Sequence, residues 1–363
     1  MKNNFCAPEF FLGANTPYGF FSLFNQLYTP GTNWFCHILK GGPGTGKSTL
    51  MKNLAQKASK KNLKHEIIRC SSDPQSLDAL ILTDLNKCIV DGTAPHVIDP
   101  IYPGISDEIV NLGEFWDAKV LQEKKEKIIP IFKENSRLHQ MSKQFLSTFG
   151  CAYNVIYRLI QESIYLDKLN NFCKSTSKKL IKKIPSENKK EKLRFISSVT
   201  PEGYIFISKT LENLCKKIFI IDDPYGVVGN LILQSLRIHA LNLNHEIITC
   251  PSPFSPSNNL ETLLLPDLKL GFVVKNQFLP SGTFKSLNIE HKVIHTKRFM
   301  DREKLLNNKN LINFNTKICK EFLFESSNTL FKAKKVHDEI EAIYSESMNY
   351  SKVNKITQKL ISF

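Results

Sequence analysis

Arginine is scarce in this chain. Only seven of its 49 basic residues are Arg, at positions 69, 137, 158, 194, 237, 298 and 302. Guanidinium forks are the usual clamps on transferred phosphoryl groups and on nucleic-acid phosphates. Their rarity weakens both readings, above all in the first 130 residues, where Arg69 stands alone. The nine cysteines include no C-x-x-C pair. That spacing excludes the common zinc and redox frameworks and points to reduced thiols in a cytoplasmic protein. No apolar run approaches the ~20 residues of a membrane span. The N-terminus lacks a basic segment followed by an apolar block, so neither a signal peptide nor a membrane partner is expected.

What is present fits an ordinary folded protein. The chain has 363 residues, 42% hydrophobic and 23% charged, enough for two domains of common size. The formal net charge of +15 is carried almost wholly by Lys. Much of it falls in helical stretches such as Lys178-Lys179 and Lys182-Lys183, which read as solvated faces. A nucleic-acid partner is the alternative, weakened by the lack of clustered Arg and interleaved aromatics.

The most informative segment is Gly41-Gly42-Pro43-Gly44-Thr45-Gly46-Lys47-Ser48, followed by Thr49. It fits G-x-x-x-x-G-K-S/T, the loop whose backbone N–H groups cradle the phosphates of a nucleotide. The Lys reaches the β- and γ-phosphates, and the Ser hydroxyl ligates Mg²⁺. A chance match in a chain this long has a probability of roughly 1 in 100. The flanks agree with the motif. Phe35 to Leu39 reads as a buried strand, and Thr49 to Lys60 as a helix with Leu50, Leu54 and Ala58 on one face. A helix N-terminus at the loop favours an anion.

The second half echoes the first at an offset of roughly 180 residues. Thr16-Pro17-Tyr18-Gly19-Phe20 returns as Thr200-Pro201-Glu202-Gly203-Tyr204. His65-Glu66-Ile67-Ile68-Arg69-Cys70 returns as His245-Glu246-Ile247-Ile248-Thr249-Cys250. Asp84-Leu85 returns as Asp267-Leu268, and Phe115-Trp116-Asp117 as Phe299-Met300-Asp301. A period this long means two copies of a domain, not a solenoid. Set against Gly41 to Thr49 is Asp222-Asp223-Pro224-Tyr225-Gly226-Val227-Val228-Gly229-Asn230, which has no Lys and no Ser or Thr. The two Asp would repel phosphate. The second copy therefore reads as a degenerate pseudo-domain, with room for a protein partner docked through it.

Chemistry on nucleotides needs more than the loop. Asp91, at the end of an apolar strand, is the candidate metal-side carboxylate, because Val274-Lys275 replaces that region in the second copy. Its rival Asp84 persists there as Asp267. Thr93 and His96 are candidate γ-phosphate donors, with His96 also a candidate catalytic group. Asp73 is a candidate base, and Glu114, Asp107 and Glu108 are candidate activators of water. No Glu follows Asp91 directly, which lowers the expectation of fast hydrolysis.

Helices are expected at Gly19 to Leu27 and Ser76 to Leu82, strands at 65–70 and 88–91, and a turn-rich loop at 91–104. Helices are also expected from 114 to 183, with a separate one at 152–170, and from 300 to 362. A charged linker at Pro185 to Glu191 divides residues 1–184 from 190–363.

The stretches GANTPYGFFSLF (13–24), LKGGPGTGKSTLM (39–51), CSSDPQSLDAL (70–80), VDGTAPHVIDPIYPG (90–104) and DEIVNLGEFWD (107–117) resemble a duplicated family of bacterial P-loop proteins. Its members are known as ATP-binding proteins, ATPases or nucleotide kinases, and the resemblance covers nearly the whole chain. It implies nucleotide binding without naming a substrate. In many members the second copy keeps its own phosphate loop, and this sequence departs there.

The expected fold is α/β, with two tandem P-loop-NTPase-like parallel sheets, each with a helical appendage. ATP and Mg²⁺ are the expected cofactors. Gly41 through Thr49 would bind the phosphates, Ser48 and Asp91 would hold Mg²⁺, and Lys47, Asp91 and His96 are the candidate catalytic groups. Slow ATP hydrolysis at one active and one pseudo site is the leading expectation. Transfer to a small molecule or nucleotide is second, and a nucleic-acid-associated switch third.

Overall fold

The computed structural model describes residues 6–183, 190–285 and 287–360. The linker at Pro185 to Glu191 lies outside these residues except for Lys190 and Glu191. In the first half, six strands form one sheet: β1 (Glu9–Phe11), β2 (Phe35–Lys40), β3 (His65–Arg69), β4 (Leu77–Leu82), β5 (Lys87–Asp91) and β6 (Asp107–Asn111). Their order is β1-β3-β4-β5-β2-β6. Its main helices are α1 (Lys47–Lys60), α2 (Lys125–Gln161) and α3 (Leu166–Leu180). The second half contributes β7 (Lys190–Leu193), β8 (Lys217–Asp222), β9 (Glu246–Pro251), β10 (Leu260–Leu265), β11 (Leu270–Lys275) and β12 (Glu290–His295). These lie in the order β7-β9-β10-β11-β8-β12, the same as in the first sheet. Helices α4 (Val227–Asn242), α5 (Lys309–Glu346) and α6 (Tyr350–Leu360) complete it.

Both sheets are mixed, not parallel as expected. β4 is antiparallel to both neighbours, β3 and β5, and β10 is antiparallel to β9 and β11. The remaining pairs are parallel. The connections explain this. Residues 70–76 and 83–86 are too few for the crossover that a parallel neighbour needs. Asn86 and Lys269 close the equivalent turns in the left-handed region, each at φ 49°. The helix expected at Ser76 to Leu82 is instead β4. All six of its residues are buried, and a continuous apolar run carries no helical period. The helix expected at Gly19 to Leu27 is a hairpin strand, Gly19–Ser22, and a 3-10 turn, Phe24–Gln26. The Thr16 hydroxyl donates to the Gly19 carbonyl at 2.6 Å in that hairpin, and Thr200 donates to Gly203 at 2.9 Å. This turn chemistry accounts for the first echo in the sequence. The separate helix expected at 152–170 is divided between α2 and α3.

The helical appendages are exchanged. α2 and α5 run antiparallel in the most extensive helix pairing of the molecule. Ser142 Oγ meets Ser326 Oγ at 2.8 Å at their crossing, between residues 184 apart in sequence. Beyond this point each helix leaves its own half. Ile156 and Ile160 of α2, with Leu169 and Cys173 of α3, pack among Leu233, Leu236 and Leu263 of the second half. Val353 of α6 packs with Leu39, Leu50 and Leu54 of the first. Matching backbone bonds fix both exchanges. Asp117 N–H donates to Ser347 O at 2.8 Å, and Asp301 N–H to Ser163 O at 2.7 Å. Neither 1–184 nor 190–363 thus encloses its core alone.

The edge strands meet on the same axis. Phe11 and Phe195 exchange backbone hydrogen bonds of 2.8 and 2.9 Å. Beside them Arg194 of the second half lies 3.0 Å from Glu66 of the first, and both side chains are buried. Burial works against the Glu66 charge, but Arg194 and Lys192 outweigh it and hold the pKa below its ordinary value of 4.5. A depressed carboxyl stabilises the fold above its unfolded pKa and loses that contribution as the pH falls. Arg194→Met strands a buried carboxylate and is expected to cost about 3–5 kcal/mol at neutral pH. Urea titrations of parent and variant should show this difference shrinking as the pH falls through and below the ordinary carboxyl range, where Glu66 takes up its proton first in the variant and then in the parent.

Candidate functional site

The Gly41–Gly46 loop joins β2 to α1, whose N-cap is Gly46 at φ 87°. The helix begins at Lys47, one turn deep in a cleft of about 1420 Å³. One wall is the loop with the ends of β4 and β5, and the other comes from α2, α5 and α6. The site is therefore built from both halves. Gly44, at φ 70°, is the tightest point of contact. A Cβ there would stand 2.6 Å from the Glu341 carbonyl of α5. The Tyr350 hydroxyl of α6 donates to the Gly44 carbonyl at 2.7 Å.

Several sequence candidates converge here. Lys47 Nζ donates to the carbonyls of Gly41 and Gly42 at 2.6 and 2.9 Å and lies 3.6 Å from Asp91 Oδ2. Asp91 ends β5, the strand paired with β2. Thr45 donates to the Gly42 carbonyl at 2.9 Å, and Ser48 Oγ accepts the Leu77 N–H at 3.1 Å. Pro43 and Thr49 also line the cleft. His96 is nearby but buried, stacked on Phe24 at 4.3 Å, with Nε2 3.5 Å from Asp78 Oδ1. Burial lowers its pKa, yet Asp78 and then Asp91 outweigh burial and raise it. Its Nδ1 has no hydrogen-bond partner among the described residues.

Other candidates have different work. The Thr93 hydroxyl is held on Asp91 at 2.6 Å, so it is committed to the carboxylate. Asp73 accepts from Ser76 at 2.7 Å and lies 3.6 Å from Lys334. Asp84 and Asp267 accept backbone N–H groups at the entries to β3 and β9, from Lys64 and Glu246. Their persistence in both copies is thus a turn requirement. Asp107 is buried and binds the N–H groups of Ile101 and Tyr102. Glu108 pairs with His37, and Glu114 with Asn111. None of these three lines the cleft. No residue pattern pointed to Asp78 or to the helical wall containing His139, Lys334 and His337, which the pairing of the long helices brings in.

The second half realigns two of the echoes. Lys40 pairs with Asn111 at the end of the first sheet and Asp222 with His295 in the second, so Gly41 stands opposite Asp223, not Asp222. Ser48 remains matched by neither the spacing nor the chemistry first expected: its counterpart is Asn230, whose Oδ1 accepts the Leu260 N–H at 2.9 Å. The His65 and His245 echoes are out of register by two. The β-bulges at Ile68/Arg69 and Cys250/Pro251 mark the true equivalence.

Around Asp223 the loop is wound into helix, and α4 begins at Val227. Asp223 stands just ahead of that helix. Its buried carboxylate accepts the N–H groups of Gly229 at 2.8 Å and Tyr225 at 3.2 Å. Burial raises its pKa, and these backbone donors oppose the rise. Phe149, Tyr153, Phe254 and Phe278 fill the space beyond with ring contacts.

The two halves thus define a mixed α/β protein with one open cleft and one filled counterpart. Comparison of the chain with family models, curated proteins and solved structures gives no match. Among the described residues, no helix is long and apolar enough to cross a membrane. No group of three or more His, Cys, Asp or Glu among them could hold a metal by itself.

Glu261, the counterpart of Asp78, is buried and takes the hydroxyls of Ser197 and, at 2.9 Å, Tyr204. Burial pushes its pKa from 4.5 up to about 7 against those two hydrogen bonds. A raised carboxyl pKa means the folded state holds its proton longer. Stability is then fullest below about pH 4.5 and falls as the pH rises to about 7. Glu261→Gln should remove this slope, worth on the order of 3 kcal/mol across that window. Denaturant titrations at several pH values check it.

Proposed function

We propose that the cleft binds ATP with Mg²⁺, and that the chain is a slow ATPase with one working site. The observation that carries this reading is the meeting of Lys47 and Asp91, 3.6 Å apart, at a glycine loop that opens a helix. Backbone N–H groups at such a terminus favour phosphate. Ser48 and Asp91 supply the hard oxygen donors that suit Mg²⁺, with nucleotide oxygens completing its coordination. Bound there, the ion would neutralise charge on the phosphates. Lys47 would exchange its contacts with the Gly41 and Gly42 carbonyls for phosphate oxygens. Asp91 would orient it, and Thr93 would keep the Asp91 carboxylate turned toward the cleft. His96, held by Asp78, is the candidate proton-handling group.

Both halves are read as P-loop-type domains, the second degenerate. The shared strand order supports this, and so does the Asp223 carboxylate standing where a phosphate would be. The second half then serves the first by covering its loop with α5 and α6. A working place in the reduced cytoplasm suits the nine free thiols.

A second reading, transfer to a small-molecule acceptor, is favoured by the size of the cleft. At about 1420 Å³ it exceeds the ~300–1,000 Å³ common for a single ligand. Labelled ATP supplied with nucleosides and nucleotides separates the two. Labelled product other than free phosphate supports transfer.

Calorimetry with a Mg²⁺-loaded, non-hydrolysable ATP analogue is expected to give one site per chain. Lys47→Ala should weaken binding by roughly tenfold to a hundredfold, the worth of charge-assisted hydrogen bonds. Unchanged affinity in that variant rejects the site. A second site insensitive to the substitution rejects the degenerate reading of the second half. Asp91→Asn is expected to bind nucleotide but lose at least about tenfold in phosphate release, followed in a steady-state assay.

A further inference from the structure

We propose that the face of α6 beside the glycine loop recognises the heterocyclic base of the nucleotide, with Tyr350 as stacking ring and Asn354 as reader of the base edge. This rests on the nucleotide reading above. It adds a recognition element that belongs to the second half and that the loop motif does not contain.

The position of Tyr350 comes first. Its hydroxyl is fixed on the Gly44 carbonyl at 2.7 Å, and its ring passes 3.6 Å from where a Gly46 Cβ would stand. A phenol tethered in this way holds its ring at a set angle beside the start of α1. Yet Tyr350 remains 40% exposed. The neighbours on its own helix differ: Val353 and Thr357 are 4% and 6% exposed and face the core. Residues 350, 353, 354 and 357 thus form one stripe of α6 along the cleft, buried at Val353 and Thr357 and open at the ring of Tyr350.

The chemistry around that ring suits a base. Asn354 is one helical turn from Tyr350, and both line the cleft with Asn53 of α1. A side-chain amide offers a donor and an acceptor together, the pattern that pairs with the edge of a heterocycle. Rings stack on bases through their π-faces whatever the base. Phosphates, by contrast, would be served by Lys47 and the backbone N–H groups of the first half's loop. The two functions would rest on different residues and can be tested apart.

The second half provides an internal comparison. Asn349 N–H donates to Phe115 O, and Tyr165 N–H donates to Phe299 O, each at 2.8 Å. These matching bonds place Leu166 at the position of Tyr350. Leu166 is 56% exposed and offers no ring, and in that half the turn before α4 is closed around Asp223. The aromatic ring accompanies the open loop and is missing beside the filled one.

The test uses the full chain and two ligands: a non-hydrolysable ATP analogue and inorganic tripolyphosphate, which has the phosphates without the base. Tyr350→Leu installs the residue of the other half. It is expected to weaken the analogue by roughly fivefold to a hundredfold, the range for loss of one stacked base. Tripolyphosphate should change by less than about twofold. Tyr350→Phe keeps the ring, loses the bond to Gly44, and should retain most of the analogue affinity. Asn354→Ala should narrow the preference between adenine and guanine analogues. Equal loss of both ligands in Tyr350→Leu would mean that the ring only props the loop, and would overturn the proposal. So would unchanged analogue binding in that variant, and an unchanged base preference would remove Asn354 from it. Failure of tripolyphosphate to bind the parent protein would overturn the nucleotide reading itself, and the base platform with it.

Discussion

The antiparallel pairing of α2 with α5 is the constraint on which the rest of the structure depends. Each helix is long enough to leave its own half, and the crossing at Ser142 and Ser326 sets where it arrives. Apolar stripes on their far ends then become parts of the opposite core. Burial of this kind is the main favourable term in folding and has no direction of its own. Direction comes from the paired hydroxyls at the crossing and from the backbone bonds around Trp116, Met300, Ile164 and Met348. Because of this arrangement, α5 and α6 of the second half join α2 in the wall that faces the first half's loop.

The two copies differ in how the turns before α1 and α4 are satisfied. A single carboxylate at position 223 satisfies the N–H groups at the helix start, where they would otherwise need an external anion. The turn still ends in a left-handed glycine, Gly226 at φ 76°, but the helix starts directly after it and takes in Val228. Rings from α2 and from the loops around Phe254 and Phe278 take up the vacated volume. Tyr153 of α2 closes one side, its hydroxyl donating to the Tyr225 carbonyl at 3.0 Å.

Much of this was legible in the residues. The glycine motif located the loop, and the order of the echoes revealed two halves with one strand order. The preference for Asp91 over Asp84 followed from which residue the second copy keeps, and Asp84 does cap a turn. The antiparallel β4 escaped because LDALIL is apolar throughout, which removes the period that separates strand from helix. The register of the second loop escaped because two identical tetrads, beginning at His65 and His245, suggest an alignment two residues away from the one that the matching bulges mark. Asp78 and the helical wall escaped for a more general reason. They reach the cleft by long-range packing, and periodicity along one helix says nothing about which sheet it will cover.

The bond between Tyr350 and Gly44 joins residues 306 positions apart. On a ribosome adding about 5–20 residues per second, the loop would wait roughly 15–60 s before its cover is made. During that interval the first sheet has its strands but lacks the helix that seals Leu50 and Leu54. Folding of the first half is thus bound to the synthesis of α6. A chain released early would carry an open apolar surface, the kind of surface that chaperones hold and proteases find.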